Sequence, residues 1–63
     1  MTGFVVIDKW TQPPREVYRT DGDTLADLEL AKFVADVEVG KTGTLTLEVR
    51  HATGTLQYLA RRW

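Results

Sequence analysis

The sequence predicts a small α+β domain: an antiparallel sheet of four or five strands with one helix packed on one face. Three observations carry this. The stretch from Gly43 to Trp63 alternates apolar and polar residues on both sides of Thr53–Gly54, the pattern of a β-hairpin. An almost continuous apolar run, Phe4 to Ile7, lies near the start of the chain. Between them, a segment opening at Thr24 repeats its apolar residues with a helical period.

With 63 residues the chain is one domain. A domain near this size buries only about 60% of the surface its unfolded chain exposes, so its stability is marginal. There is no Cys and a single His, which removes disulfides, thiolate metal sites and His-rich metal sites as staples. Self-association, for which an unpaired strand edge is a natural route, and a well-packed monomer are the remaining solutions. Hydrophobic residues make up 43% and charged residues 27%, with a net charge of −1. That balance lacks the basic excess of a general nucleic-acid binder. No basic-then-apolar leader and no apolar run of about 18 residues occurs, so the chain reads as cytoplasmic, without signal peptide or membrane span. Ser, Asn and Cys are absent while Thr, Val, Ala, Gly, Arg and Asp are common, the usage of a GC-rich coding sequence.

The first strand is expected from Phe4 to Trp10, with Val5 and Ile7 on one side and Phe4, Val6 and Trp10 on the other. A run apolar on both sides suits a central strand. Pro13 and Pro14 end it, since neither can donate to a ladder. Arg15–Thr20 reads as a second, shorter strand. Its charges and the prolines before it suit a sheet edge. Trp10 and Tyr18 are expected near one another across this hairpin, as part of the core.

Asp21-Gly22-Asp23 forms a turn. Thr24 is an N-cap, and Asp27 three residues later completes a capping box. The helix is expected from Leu25 to about Val34. Its main apolar face is Ala26, Leu30, Phe33, Val34 and Val37, with Leu28, Ala31 and Ala35 as a second flank. Glu29, Lys32 and Asp36 form the wet stripe. Such broad apolar coverage calls for a helix deeply embraced by the sheet, or for contact with a second chain. Ala35 to Val39 also alternates with period two. A further strand from about Asp36 to Val39 is therefore expected, turning at Gly40-Lys41-Thr42-Gly43.

In the last hairpin, pairing Ala52 with Thr55 gives the cleanest sorting. Leu45, Leu47, Val49, Leu56, Tyr58 and Ala60 then line the helix side. Thr44, Thr46, Glu48, Arg50, Gln57, Leu59 and Arg61 line the other. A three-residue loop would pair His51 with Thr55 and shift Gln57 and Arg61 to the apolar side. A one-residue slip exchanges the two faces, so the pattern selects the register.

No catalytic, cofactor or metal site is expected. Asp21, Asp23, Asp27 and Glu29 fail the calcium-loop spacing, because Leu25 and Ala26 occupy a ligand position and the sharp-turn Gly. A turn, a cap and complementarity to the helix dipole explain them. His51 is a lone acid–base candidate beside a turn, without a Ser or Cys nucleophile. Gly40-Lys41-Thr42 matches only the tail of a phosphate-binding loop, with Ala35 where the earlier Gly belongs. The most suggestive group is Arg50, Leu59, Arg61, Arg62 and Trp63. Arg and Trp are enriched in binding hot spots, and Leu59 would be an apolar residue ringed by polar ones.

The reading that follows is a non-enzymatic protein-interaction module. It would bind another protein, or a second copy of itself, through a sheet face or strand edge. A phage-type modulator of a host protein is one version, resting on size and residue usage. The alternative is nucleic-acid binding by the C-terminal Arg/Trp patch, through charge neutralisation and base stacking.

Overall fold

A computed structural model describes residues 2–62. The elements run β1 (Phe4–Asp8), β2 (Arg15–Arg19), α1 (Leu25–Thr42), β3 (Thr46–His51) and β4 (Leu56–Arg61). The four strands form one antiparallel sheet in the order β2-β1-β3-β4. The expected α+β class holds, with β1 central and β2 at an edge. The helix lies across one face. The thinnest dimension is 15 Å, room for one helix layer only, so among the described residues the opposite face of the sheet carries no second layer.

The core lies between helix and sheet. Phe4, Val6, Leu47, Val49 and Ala60 project from the strands, and Ala31, Ala35 and Val39 from α1. Tyr58 reaches across to the helix: its hydroxyl donates to the Asp36 carboxylate at 2.9 Å, and Lys32 lies over its ring at 5.2 Å. At the N-terminus of α1 the capping box is in place. The Thr24 hydroxyl accepts from the Asp27 amide at 3.2 Å, and the Asp27 carboxylate accepts from the Thr24 amide at 3.2 Å.

Gly3 and Gly43 each need glycine, the first for a close approach and the second for its backbone conformation. Gly3 has φ +101°, and a Cβ there would lie 2.3 Å from the Thr20 carbonyl oxygen. Gly43 has φ +74° and ends α1 in the left-handed conformation.

Several expectations change. The segment Asp36–Val39 is helix, not strand, so the sheet has four strands rather than five. Short alternation in Ala35–Val39 competes with a longer signal: Ala31, Ala35 and Val39 recur every four residues and give α1 its sheet-facing line. Gly40-Lys41-Thr42-Gly43 is accordingly the last turn and cap of the helix, not a hairpin. Trp10 lies beyond β1, half-exposed, donating from Nε1 to Thr46 at 3.1 Å, while Tyr18 packs against the core.

The faces of α1 are also exchanged. Its small residues sit on the sheet, whereas Leu30, Phe33 and Val37 of the expected main face are 46%, 65% and 41% exposed.

The β3–β4 hairpin satisfies two registers at once. Leu47 pairs with Ala60 and Val49 with Tyr58, as the alternation demands. Nearer the turn Arg50 pairs with Leu56, and the His51 amide donates to the Thr55 carbonyl at 2.8 Å. The turn is therefore the three-residue loop Ala52-Thr53-Gly54, and a bulge at Gln57 restores the register beyond it. Leu56 consequently moves to the side of Arg50, away from the helix. Leu45, expected on the helix side, is 56% exposed at the end of the sheet.

Candidate functional site

The bare face of the sheet is built from the residues that alternate away from the helix. Along β1 these are Val5 and Ile7. In the ladder, Val5 lies between Arg19 and Arg50, and Ile7 between Glu16 and Glu48. A central apolar ridge is thus framed on each side by one Arg and one Glu. Val5 is buried although no helix covers it, since the long stems of its two arginine neighbours lie alongside.

The two frames are held differently. On β3, Glu48 and Arg50 are two residues apart and share a face by strand period; Arg50 Nε donates to Glu48 at 2.9 Å. On β2, Glu16 and Arg19 are three apart and would normally point to opposite sides. A bulge at Val17 resets the alternation. Val17 and Tyr18 both pack toward the core, and the Arg19 guanidinium forks onto Glu16 at 3.2 and 2.7 Å. The fork holds the Glu16 carboxyl below its ordinary pKa. Arg50, helped by Lys9 at 3.6 Å, does the same for Glu48. Both acids remain anionic and both arginines are pinned, so the charges are preorganised.

Towards the β3–β4 turn this face forms an open groove of about 290 Å³. Val5 and Ile7 line it, with Pro14, Arg19, Arg50 and Ala52 among its walls. Arg50 also donates from Nη1 to the Gly54 carbonyl at 2.7 Å, tying the wall to the turn. On the β4 side, Leu59 pairs with Glu48 and Arg61 with Thr46. The structure therefore brings Arg50, Leu59 and Arg61 of the expected patch onto one face. Leu59 is half-buried and Arg61 exposed.

Arg62 does not join them. Its amide donates to the Leu45 carbonyl at 3.1 Å, and its Nη1 donates to the Gly43 carbonyl at 3.2 Å. Its guanidinium closes the C-terminus of α1 instead, where a cation complements the helix dipole. Trp63 lies outside the described residues. Arg19, Val5 and Ile7 belong to the face but were not among the expected site residues. Their signal was the second apolar side of β1, whose neighbours depend on cross-strand register.

The remaining candidates have structural partners. His51 Nδ1 accepts from the Thr53 amide at 3.2 Å, which leaves Nε2 to face Asp23 at 3.1 Å. Phe4 packs edge-on against its ring. Asp23 also accepts from the Gly3 amide. That bond first, and His51 second, hold the Asp23 carboxyl below its ordinary pKa. Asp27 caps α1 and Glu29 pairs with Lys32 at 3.0 Å, so the acidic cluster disperses. Among the described residues no three His, Asp or Glu side chains converge as a metal site would require. No described helix is long and apolar enough to cross a membrane.

No protein-family model, curated protein or solved structure matches the chain.

Proposed function

We propose that this chain is a non-enzymatic interaction module that docks another protein on the bare face of its sheet. The observation that carries this is the Val5–Ile7 ridge set between two preformed Arg–Glu frames, with Leu59 and Arg61 extending it over β4. An apolar floor supplies desolvation energy. The fixed charges on either side supply register and reject mismatched partners. Pinned arginines lose little side-chain freedom when a partner lands on them.

Affinity capture on the immobilised chain, from an extract of its source cells, tests this reading. Leu59→Glu and Arg61→Glu keep the circular dichroism of the parent and lose the captured protein. If both variants fold and still recover the same partner, the bare face is not the docking surface. Nucleic acid is the rival ligand. Arg50 engaged by Glu48 and Arg62 engaged by Gly43 leave it a weaker electrostatic footing. A low-salt titration with labelled single- and double-stranded DNA separates the two, and binding with a steep salt dependence would favour the rival.

A further inference from the structure

We propose that the chain pairs with a second copy of itself through the exposed seam of α1, the two helices lying parallel. The seam is Ala26, Leu30, Phe33, Val37 and Gly40, all exposed and spaced 4-3-4-3. That is the a/d spacing of a two-stranded coiled coil, with Leu30 and Val37 at a and Ala26, Phe33 and Gly40 at d. It spans about 21 Å at ~1.5 Å per residue. The seam lies on the side of α1 opposite the sheet, so it stands or falls independently of the proposed partner face.

Two further observations point to a second helix. The first is Gly40. It sits inside the helix, and a Cβ there would meet no atom within 4 Å. Within one copy nothing requires glycine, although it lowers helix stability by about 1 kcal/mol relative to alanine. In the seam it occupies a d position, where the absent side chain lets a second backbone come close. The second is the packing choice of α1: Ala31 and Ala35 face the sheet and Phe33 faces outward. A helix stabilised by its own sheet alone would bury the larger side chains.

Charge selects the occupant and its direction. The residues flanking the seam are Glu29 and Asp36 at g, and Asp27, Val34 and Lys41 at e. In a parallel pair, g meets the e residue five positions on in the other helix, so Asp36 faces Lys41 of the second copy, twice by symmetry. In an antiparallel pair the g positions meet each other, so Asp36 faces either Glu29 or Asp36 of the second copy. That is a like-charge contact in both registers, which only Asp27 against Lys41 at e offsets, whereas the parallel pair has no like-charge contact. Asp36 already accepts from Tyr58, and Lys41 already lies 3.5 Å from Glu38. A carboxylate has capacity for more than one donor. The Glu38–Lys41 pair is a surface contact that yields readily. Both helices are preformed on their sheets, so a seam of two heptads does not have to fold them as well.

Sedimentation equilibrium of the intact chain, from a few to several hundred micromolar, tests the pairing. The expected result is a reversible monomer–dimer equilibrium. Phe33→Glu, at an exposed position that leaves the core untouched, raises the dissociation constant by at least about a hundredfold with unchanged circular dichroism. A monomer throughout that range, or a dimer indifferent to Phe33→Glu, overturns the proposal. Because the chain has no Cys, a single introduced thiol reports direction. Ala26→Cys, at the other end of the seam and leaving Gly40 in place, cross-links to its own kind under mild oxidation if the helices are parallel. Cross-linking only between an Ala26→Cys chain and a Val37→Cys chain would overturn the parallel arrangement.

Discussion

At the level of single residues, Asp23 shows how a side chain read as part of an acidic cluster becomes a fastener. It joins the start of β1, through the Gly3 amide, to the β3–β4 turn, through His51. Asp23, Glu16 and Glu48 are all held below their ordinary pKa by hydrogen bonds to Gly3, Arg19 and Arg50 respectively. In the unfolded chain these groups return to values of about 4 to 4.5. The unfolded chain therefore takes up protons first as the pH falls. Stability is full above that range and drops as the pH descends through it toward the lower folded values. The contribution of these three carboxylates to the urea midpoint should decline below about pH 5. These are exposed pairs, so the decline is shallow. Asp23→Asn should make it shallower still. An unaltered slope in that variant would remove Asp23 from the set.

At the level of elements, the strands were legible because each is short and its alternation is local. β1, β2 and the β3–β4 pairing of Leu47 with Ala60 and Val49 with Tyr58 follow from pattern alone. The capping box was legible for the same reason, since four residues define it. Where two periods overlap, local reading fails. Ala35–Val39 alternates like a strand, and only the four-residue recurrence of Ala31, Ala35 and Val39 against the sheet decides for helix. The bulges at Val17 and Gln57 were illegible, because a bulge is defined by the partner strand. They matter to the site. The first turns Glu16 and Arg19 to one side, and the second places Leu56 beside Arg50. The element most exposed to perturbation is β3, which contacts both β1 and β4. Leu47 is its fully buried leucine, at 1% exposure. Leu47→Ala should cost about 3 kcal/mol in chemical denaturation. A domain of this length holds roughly 3–9 kcal/mol in total, so the variant sits near the edge of folding. A loss below about 1 kcal/mol would mean the helix–sheet core collapses easily around the gap.

For the whole molecule, the arrangement separates two surfaces. The helix seam lies on one side of a thin two-layer domain, and the Val5–Ile7 ridge on the other. Pairing through the seam would leave both ridges facing outward, giving one assembly two docking faces and raising its avidity for a clustered partner. The outer face was only half legible. Arg50, Leu59 and Arg61 came from one hairpin and its register, whereas Arg19 and the ridge required the order of all four strands. Arg62 lies apart from that group because its guanidinium meets the helix C-terminus at Gly43, nineteen residues away in sequence.

The most direct test is a methyl-resolved NMR titration of the chain with the protein it captures. Docking on the bare face predicts that the methyl signals of Val5, Ile7, Leu56 and Leu59 shift with saturation while those of Leu30 and Val37 stay in place. Shifts confined to Leu30 and Val37, with the Ile7 and Leu59 methyls unmoved, would contradict it.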